Sequence, residues 1–192
     1  RRPPGSTRFP YTTLFRSVIP KAVLGSGRFV DVGSGGGFPG VPLLLAFPGM
    51  KGTLIEATGK KTAFLEHLKD SLGLEGLDVL NGRAETLAHD PALRESFDIV
   101  LARSISGMAA LAEMTLPFCR TGGLLVAHKG HNIEEELTAA ANAIAVTGGA
   151  LKEVRPVSLE GLSQRNLVVV EKVSETPERY PRRPGMPSKN PL

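Results

Sequence analysis

The chain has 192 residues, of which 41% are hydrophobic and 22% charged, a composition typical of one soluble globular domain with or without tails. Its single cysteine excludes a disulfide framework and a multi-cysteine zinc site and fits a reducing compartment, and no apolar run reaches the length of a membrane span. The net charge of +4 comes from the two ends of the chain. Residues 1–17 carry four arginines and no acid, and residues 172–192 carry five basic residues and two acidic ones. Residues 18–171, with 14 basic and 17 acidic residues, are slightly acidic.

Residues 1–17 form a basic opening segment that lacks the apolar core of a secretory signal. Residues 9–17 resemble the translation of a common sequencing adapter, so we predict that this segment is foreign to the protein and lies outside its domain. A genuine basic arm that binds nucleic acid is the second interpretation, because the apolar residues of the segment lack helical spacing. We therefore divide the chain into this segment, a domain over residues 18–174 and a basic, proline-rich tail over residues 175–192.

Seven short apolar runs predict strands, over residues 28–32, 53–56, 77–80, 97–102, 123–128, 150–157 and 166–172. Four longer stretches predict helices, over residues 39–47, 60–72, 107–119 and 132–146. The second helix is predicted to end at Gly73 and to bury one face, made of Ala63, Phe64, Leu68 and Leu72. Strands that alternate with helices indicate an α/β fold with a mostly parallel sheet, and the last two strands indicate an antiparallel C-terminal hairpin. Ligands of such sheets bind beyond the carboxyl ends of the strands.

A glycine-rich loop, DVGSGGGFPG over residues 31–40, directly follows the first predicted strand. The dinucleotide motif G-x-G-x-x-G fits only from Gly35. Counted from Gly33, the first glycine after the strand, its third glycine position is Phe38. The pattern Asp-x-Gly-x-Gly-x-Gly, typical of loops that bind S-adenosylmethionine, fits in full from Asp31 to Gly37. We therefore predict S-adenosylmethionine as the cofactor.

Two carboxylates accompany this loop at the ends of the first two predicted strands. In the register chosen here, Asp31 lies near the cationic methionine end of the cofactor. Glu56, at the end of the second strand, can accept hydrogen bonds from ribose hydroxyls. Gly35 allows the backbone to approach the ligand closely. We therefore predict that Asp31, Gly35 and Glu56 contribute to cofactor binding.

The loop also carries a resemblance to a known family. The segment FVDVGSGGGFPGVP over residues 29–42 resembles the cofactor loop of the RsmG (GidB) family of bacterial 16S rRNA methyltransferases, and its FPGxP ending is more restrictive than its glycines. The likeness continues through GRAE at 82–85, FDIVLAR at 97–103, LVAHKG at 125–130, RNLVVV at 165–170 and YPRRPGMPSKNPL at 180–192. It covers residues 18–192 and lacks the helical segment that precedes the first strand in the family, so we expect a chain shortened at its N-terminus.

The resemblance implies a Rossmann-like class I methyltransferase fold, with a seven-stranded sheet and helices on both of its faces. It also implies transfer of a methyl group from S-adenosylmethionine to N7 of one guanine in the decoding region of 16S rRNA. By their positions in the family's motifs, the residues that line the cofactor would include Gly33, Phe38, Ala84, Glu85 and Arg103. The structural alternative for Arg103 is an ion pair with a nearby acid such as Asp31 or Glu56.

We predict no catalytic side chain and no metal site. Guanine N7 carries a lone pair and no proton, so it can attack a sulfonium methyl group without a general base. The sequence offers no convincing pair of nucleophile and base. His128, at the end of the fifth strand, is interpreted as a packing residue, and Cys119 as a buried residue at the end of a helix. Residues 102–105 read Ala-Arg-Ser-Ile, so the Asn/Asp-Pro-Pro-aromatic segment used for exocyclic amines is absent after the fourth strand.

Basic residues near the predicted site are the candidates for contact with rRNA phosphates, and these are Lys129, Arg165, Arg182 and Arg183. For Lys129 and Arg165 a solvated charge at a strand end is an equal alternative. For the tail the alternatives are a disordered end, or a segment that wraps back on the domain through Tyr180 and its alternating proline and arginine residues. The expected partner is 16S rRNA or the 30S subunit, contacted by a cytoplasmic monomer with no membrane association. Two other functions stay open. An NAD(P)-dependent oxidoreductase is disfavoured, because no Tyr-x-x-x-Lys or histidine pair follows strands four and five, and the third hypothesis is a non-catalytic RNA-binding remnant.

Overall fold

A computed structural model of the chain describes residues 15–103, 106–130, 133–157 and 165–192. Its strands are β1 (Arg28–Val32), β2 (Lys51–Glu56), β3 (Leu77–Asn81), β4 (Phe97–Arg103), β5 (Cys119–Lys129), β6 (Gly149–Val157) and β7 (Arg165–Lys172). Its helices are α1 (Lys21–Ser26), α2 (Gly40–Ala46), α3 (Gly59–Leu72), α4 (Ala84–Leu87), α5 (Met108–Thr115), α6 (Glu134–Val146) and α7 (Met186–Lys189). None of these helices combines the length and the apolar character that a membrane span requires.

The strands form one sheet in the order β3-β2-β1-β4-β5-β7-β6. Strand β1 pairs in parallel with β2 and β4, and β3 and β5 continue the parallel part on either side. Strand β7 runs antiparallel to both β5 and β6. The predicted architecture, a mostly parallel seven-stranded sheet with an antiparallel C-terminal hairpin, is confirmed. The order reverses between β1 and β4, so a ligand site is expected beyond the carboxyl ends of these strands.

Both faces of the sheet are buried, as the alternation within β4 shows. Ile99 and Leu101 point into a core that also holds residues of α2 and α3, whereas Val100 and Ala102 point into a second core with α5 and α6. Side chains alternate between the two faces of a strand, so the run of four buried apolar residues over 99–102 requires cover on both faces. The helices predicted on both faces are therefore confirmed.

Helix α3 buries a different side from the predicted one. Leu65 is fully buried and Leu68 packs against the same core, whereas Phe64 and Leu72 are 50% and 45% exposed. Ala63 is exposed as well. The predicted face was therefore wrong, because adjacent apolar residues at 63–65 and 68 fit two helical faces equally well by spacing alone. The predicted helix end is correct, since Gly73 adopts the left-handed conformation that caps the helix.

The helix predicted over residues 107–119 is shorter than expected. Helix α5 ends at Thr115 and a 3-10 turn, Leu116–Phe118, follows it. Pro117 has no N–H group to donate within a continuing α-helix, and its ring crowds the preceding turn. Cys119 therefore begins β5 instead of ending a helix. It is fully buried, as predicted, and burial raises the pKa of its thiol to about 12.

The packed part of the chain begins before the predicted boundary at residue 18. Phe15 is fully buried, and its ring centroid lies 5.6 Å from that of His128. The carbonyl of Ser17 accepts a hydrogen bond of 2.7 Å from Arg155 of β6. Phe15 therefore belongs to the core and the exposed Ser17 contacts β6, although both lie in the segment 1–17 that we predict to be foreign to the domain. The origin of that segment stays a prediction, and residues 1–14 lie outside the described residues.

The tail also packs against the domain. Tyr180 is 8% exposed, and Arg94 donates hydrogen bonds to the carbonyls of Thr176, Pro177 and Tyr180. His89 lies 2.8 Å from the carbonyl oxygen of Pro181. Residues 176–192 are therefore called the C-terminal strap below, since they cross the domain rather than extend from it.

Candidate functional site

The glycine loop between β1 and α2 curls over the carboxyl end of β2. The amides of Gly33 and Ser34 both donate to the carbonyl of Ile55, at 2.8 and 3.1 Å. Gly33, Gly35 and Gly37 have φ values of 72°, 58° and 86°, in the left-handed region that favours glycine. At Gly37 a Cβ atom would lie only 2.9 Å from the Val41 side chain. The glycines are therefore required by the path of this loop, as their spacing predicted.

Asp31 fixes the exit of this loop. It is fully buried at the end of β1, and its Oδ2 atom accepts a hydrogen bond of 2.9 Å from the amide of Gly40, the first residue of α2. A Cβ atom at position 40 would lie 2.6 Å from Leu54 and 3.0 Å from Asp31, so the helix can begin this close to the carboxylate only with glycine. The structure thus gives Asp31 a contact inside the loop and does not place it in the wall of the cavity described below.

The environment of Asp31 favours its protonated form. Burial raises its pKa to about 7, although the amide of Gly40 and the charge of Arg103 act in the opposite direction. Its second oxygen, Oδ1, has no hydrogen-bond partner among the described residues. Ionisation of a carboxyl group that is buried and has few hydrogen-bond donors lowers the stability of the folded state.

Glu56 holds the middle of the loop from the end of β2. Its Oε2 atom accepts a hydrogen bond of 3.0 Å from the amide of Gly35, and its Oε1 atom accepts one of 2.9 Å from the amide of Thr58. Burial alone would raise the pKa of Glu56, but the hydrogen bonds from Thr58 and Gly35 and the charge of Lys61 lower it below its ordinary value. Glu56 is thus an ionised acceptor, opposite in behaviour to Asp31.

A cavity of about 290 Å³ opens beside the carboxyl ends of β1, β2 and β3. Four of the predicted cofactor residues line it, namely Gly33, Glu56, Ala84 and Glu85. Gly35 is not in its wall but donates to Glu56, which is. Two further lining residues, Met114 and Ser188, come from α5 and the C-terminal strap. No local pattern in the sequence indicates these two residues, because they reach the cavity from distant parts of the chain.

Glu85 connects this cavity to the strap. It is 4% exposed, its Oε1 atom accepts a hydrogen bond of 2.9 Å from the amide of Gly185, and Arg83 lies 3.6 Å from the same oxygen. Glu85, which the family's motifs place at the cofactor, is therefore oriented by the backbone of a segment 100 residues away.

Phe38 and Arg103 lie together outside the cavity wall. The guanidinium of Arg103 is 5.7 Å from the ring centroid of Phe38, and Phe38 is 46% exposed. This is the geometry of a cation–π contact. Arg103 makes no ion pair with Asp31 or Glu56 among the described contacts, although its charge acts on Asp31. The pair forms an exposed feature at the carboxyl ends of β1 and β4.

The four predicted RNA contacts divide into two kinds. Lys129 forms an ion pair with Glu136 and donates to the carbonyl of Ser106, and Arg182 pairs with the fully buried Glu113. Arg165 and Arg183 are exposed. The structure therefore engages Lys129 and Arg182 in contacts within the chain and leaves the other two side chains open to a partner. In the described residues, no group of three or more metal-ligating side chains is brought together.

Comparison with known proteins gives this arrangement a family. The sequence matches the GidB family, rRNA small subunit methyltransferase G, over residues 12–168. This chain belongs to that family. It is 45% identical over 177 residues to ribosomal RNA small subunit methyltransferase G of Dehalococcoides mccartyi strain CBDB1, covering 92% of this chain and 75% of the relative. It is 46% identical over 165 residues to the protein of the same name from Roseiflexus castenholzii, covering 86% and 70%.

Solved structures of low sequence identity share the fold. Precorrin-6y C5,15-methyltransferase from Geobacter metallireducens superposes with a TM-score of 0.60 at 13% identity, covering 85% of this chain and 88% of that one. A mutant of MtNAS in complex with S-adenosylmethionine has a TM-score of 0.62 at 19% identity, covering 86% and 62%. These structures confirm the predicted Rossmann-like fold, and the family confirms the predicted enzyme class, an S-adenosylmethionine-dependent rRNA methyltransferase.

The raised pKa of Asp31 predicts a pH dependence of folding. An unfolded aspartate ionises near pH 4, so between about pH 4 and 7 the folded state holds the extra proton and stability falls as pH rises. Asp31→Asn keeps an acceptor for Gly40 and removes the titration. Relative to wild type, this variant should gain about 2–3 kcal/mol of unfolding free energy from pH 5 to pH 8.

Urea denaturation at several pH values measures this difference, and the exposed Asp78→Asn serves as the control. A constant difference between wild type and Asp31→Asn across this range would show that Asp31 is ionised in the folded state throughout.

Proposed function

We propose that this chain methylates N7 of a guanine in the decoding region of 16S rRNA, acting as a monomer on the 30S subunit in the cytoplasm. One observation carries the proposal: in a chain of the rRNA small subunit methyltransferase G family, the cavity at the carboxyl ends of β1–β3 is walled by the glycine loop and an ionised carboxylate.

The residues around the cavity fit S-adenosylmethionine. Glu56 offers an ionised carboxylate that is 6% exposed and lies in the wall, which suits an acceptor for two vicinal ribose hydroxyls. Ala84 and Glu85 follow β3 and would border the adenine. Gly33 brings backbone, without a side chain, to the end where the methionine moiety would lie. When bound, the cofactor supplies an electrophilic methyl group on a sulfonium.

The chain needs to position two reactants and to transfer no proton. Guanine N7 carries a lone pair and no proton, and the group that would leave with the C–S electrons is a neutral thioether, so neither reactant would need a side chain of this protein to give or take a proton. Positioning and exclusion of water therefore account for catalysis here. Burial, and then the charge of Arg103, lower the pKa of His128 to about 4. This histidine is therefore neutral near pH 7 and its charge does not change with pH in that range.

Exposed cations beside the cavity fit an rRNA backbone. Arg103 ends β4, and Arg165 begins the antiparallel β7 at the same edge of the sheet, where its neighbour Asn166 pairs with Lys129. Arg183 lies two residues before Gly185, which contacts Glu85. Phe38 offers an exposed aromatic ring next to one of these charges, the guanidinium of Arg103. We assign phosphate contacts to Arg165 and Arg183, and not to the internally paired Lys129 and Arg182.

Replacement of Glu56 tests the cofactor assignment. Glu56→Gln removes the anionic acceptor while it keeps the shape of the side chain, so the dissociation constant of S-adenosylhomocysteine should rise about tenfold or more. Titration calorimetry measures this constant. The control is Glu66→Gln on the outer part of α3. Unchanged affinity in Glu56→Gln would remove Glu56 from the cofactor site.

Methyl transfer itself is tested with 30S subunits, tritiated S-adenosylmethionine and mapping of the modified nucleotide. We expect one modified guanine, with the label on N7. Under single-turnover conditions the rate constant should change less than about twofold between pH 6.5 and 8.5, since no side chain takes a proton. Label on another base or another atom overturns the proposal, as does cofactor binding without any transfer. A steep rise with pH would require a general base.

The phosphate contacts are tested by salt dependence. The double variant Arg165→Ala, Arg183→Ala should bind 30S subunits more weakly, and the slope of log K against log salt should fall by about 0.7–0.9 for each lost contact. Lys51→Ala serves as the control, because Lys51 is exposed at the amino end of β2, on the other edge of the sheet. An equal loss in both variants would indicate a general charge effect instead of a local interface.

A further inference from the structure

The C-terminal strap reaches the cofactor cavity, and the described contacts fix it at three places along its length. The first is the buried ammonium of Lys172, just before the strap, which donates to Glu95 and to the hydroxyl of Thr176, each at 2.7 Å. Burial lowers the pKa of Lys172, and Glu95 opposes that change. Arg94 continues this attachment with hydrogen bonds of 2.7–3.2 Å to the carbonyls of Thr176, Pro177 and Tyr180.

The second place is an ion pair between Arg182 of the strap and Glu113 of α5. Glu113 is fully buried in a helix in which seven of eight residues are buried, so its charge requires a full set of donors. Arg182 supplies three, from its backbone amide at 2.8 Å, from Nε at 2.9 Å and from a terminal guanidinium nitrogen at 2.7 Å. The same guanidinium also donates to the carbonyl of Asn190, which closes the strap on itself.

The third place is at the cavity. Gly185, with φ of 83°, directs its amide to Oε1 of Glu85, and Ser188 of α7 lines the cavity together with Met114. Met114 directly follows Glu113 in α5. On α5 the residue that fixes the strap thus directly precedes a residue that lines the cavity, and on the strap Arg182 precedes Ser188 by six positions.

We propose that the C-terminal strap is a wall of the cofactor cavity, and that Glu113 and Arg182 are positioning residues that hold this wall against Glu85. The inference rests on the proposed cofactor site and adds a residue pair that does not itself line the cavity. A strap that only covered α5 would need no hydrogen bond to a cavity residue. The one seen here orients Glu85 and contributes Ser188 to the lining.

This arrangement couples two equilibria. If the cofactor binds only when the strap is closed, the affinity of the protein for the cofactor is proportional to the fraction of molecules in which the strap is closed. A strap that opens more often therefore weakens binding. Reciprocally, a bound cofactor must hold the strap closed, because the coupling between the two events is the same in both directions. A purely structural strap would show neither effect.

The first experiment uses the unmodified chain. Hydrogen exchange of backbone amides is followed with and without saturating S-adenosylhomocysteine. We expect the amides of Gly185, Met186 and residues 188–190 to exchange at least about fivefold more slowly with the ligand, while those of β6, at the far edge of the sheet, are unchanged. Equal exchange of the strap amides in the two conditions, with the ligand bound, overturns the proposal.

The second experiment uses variants in the full chain. Glu113→Gln and Arg182→Ala should each raise the dissociation constant of S-adenosylhomocysteine about tenfold and speed strap exchange in the free protein. Arg120→Ala is the matched control, because Arg120 also pairs with a carboxylate, Asp98, at 2.7 Å but at the amino end of β4. Affinity equal to the control in folded variants overturns the proposal.

The two levels of inference fail differently. If the unmodified chain does not bind S-adenosylhomocysteine, the cofactor site itself is wrong. If the unmodified chain binds it and the strap neither responds to the ligand nor affects its affinity, only the role of the strap is wrong. A variant that does not fold leaves the decision to exchange in the unmodified chain.

Discussion

The cavity at the carboxyl ends of β1, β2 and β3, the proposed cofactor site, depends on the way two strand-end carboxylates hold one glycine loop. Asp31 accepts the amide of Gly40 and sets where α2 begins, and Glu56 accepts the amide of Gly35 and sets the curl in the middle. Between these points Pro39 is the buried apolar side chain of the loop, and the rest of its path is determined by hydrogen bonds and by the left-handed glycines. Since the loop is one wall of the cavity, each carboxylate acts on the ligand site even where it does not face it.

The two carboxylates differ in charge because they differ in surroundings. Asp31 has one amide donor and complete burial, and its pKa rises, whereas Glu56 has two amide donors and a nearby lysine, and its pKa falls. The sequence assigned both to the cofactor on the basis of their positions alone. Position at a strand end indicates that an acid can serve the loop, but only the number of donors around it shows which one remains available as an anion.

Much of the fold could be predicted because its signals are local. Windows of about ten residues contain each of these signals. They are the apolar runs of strand length, the glycines and prolines that end helices and strands, and the spacing of glycines in the loop. The side that α3 buries could not be predicted, because Phe64 and Leu65 are adjacent and only the opposing core selects between them. The attachment of the strap could not be predicted either. Glu113 and Arg182 are 69 residues apart, and no periodic pattern in the sequence indicates that their side chains form a pair. The basic tail was interpreted from its composition, and composition does not reveal that Arg182 faces a buried acid.

The buried Cys119 makes the folded protein unreactive toward thiol reagents. It is the single cysteine of the chain, it is fully buried, and with a pKa raised to about 12 its nucleophilic thiolate is scarce near neutral pH. Maleimide reagents would therefore find little to attack in the folded protein. A cysteine introduced at an exposed place, such as the outer part of α3, would be the preferred site of labelling, so a fluorophore could be attached without first removing the natural residue.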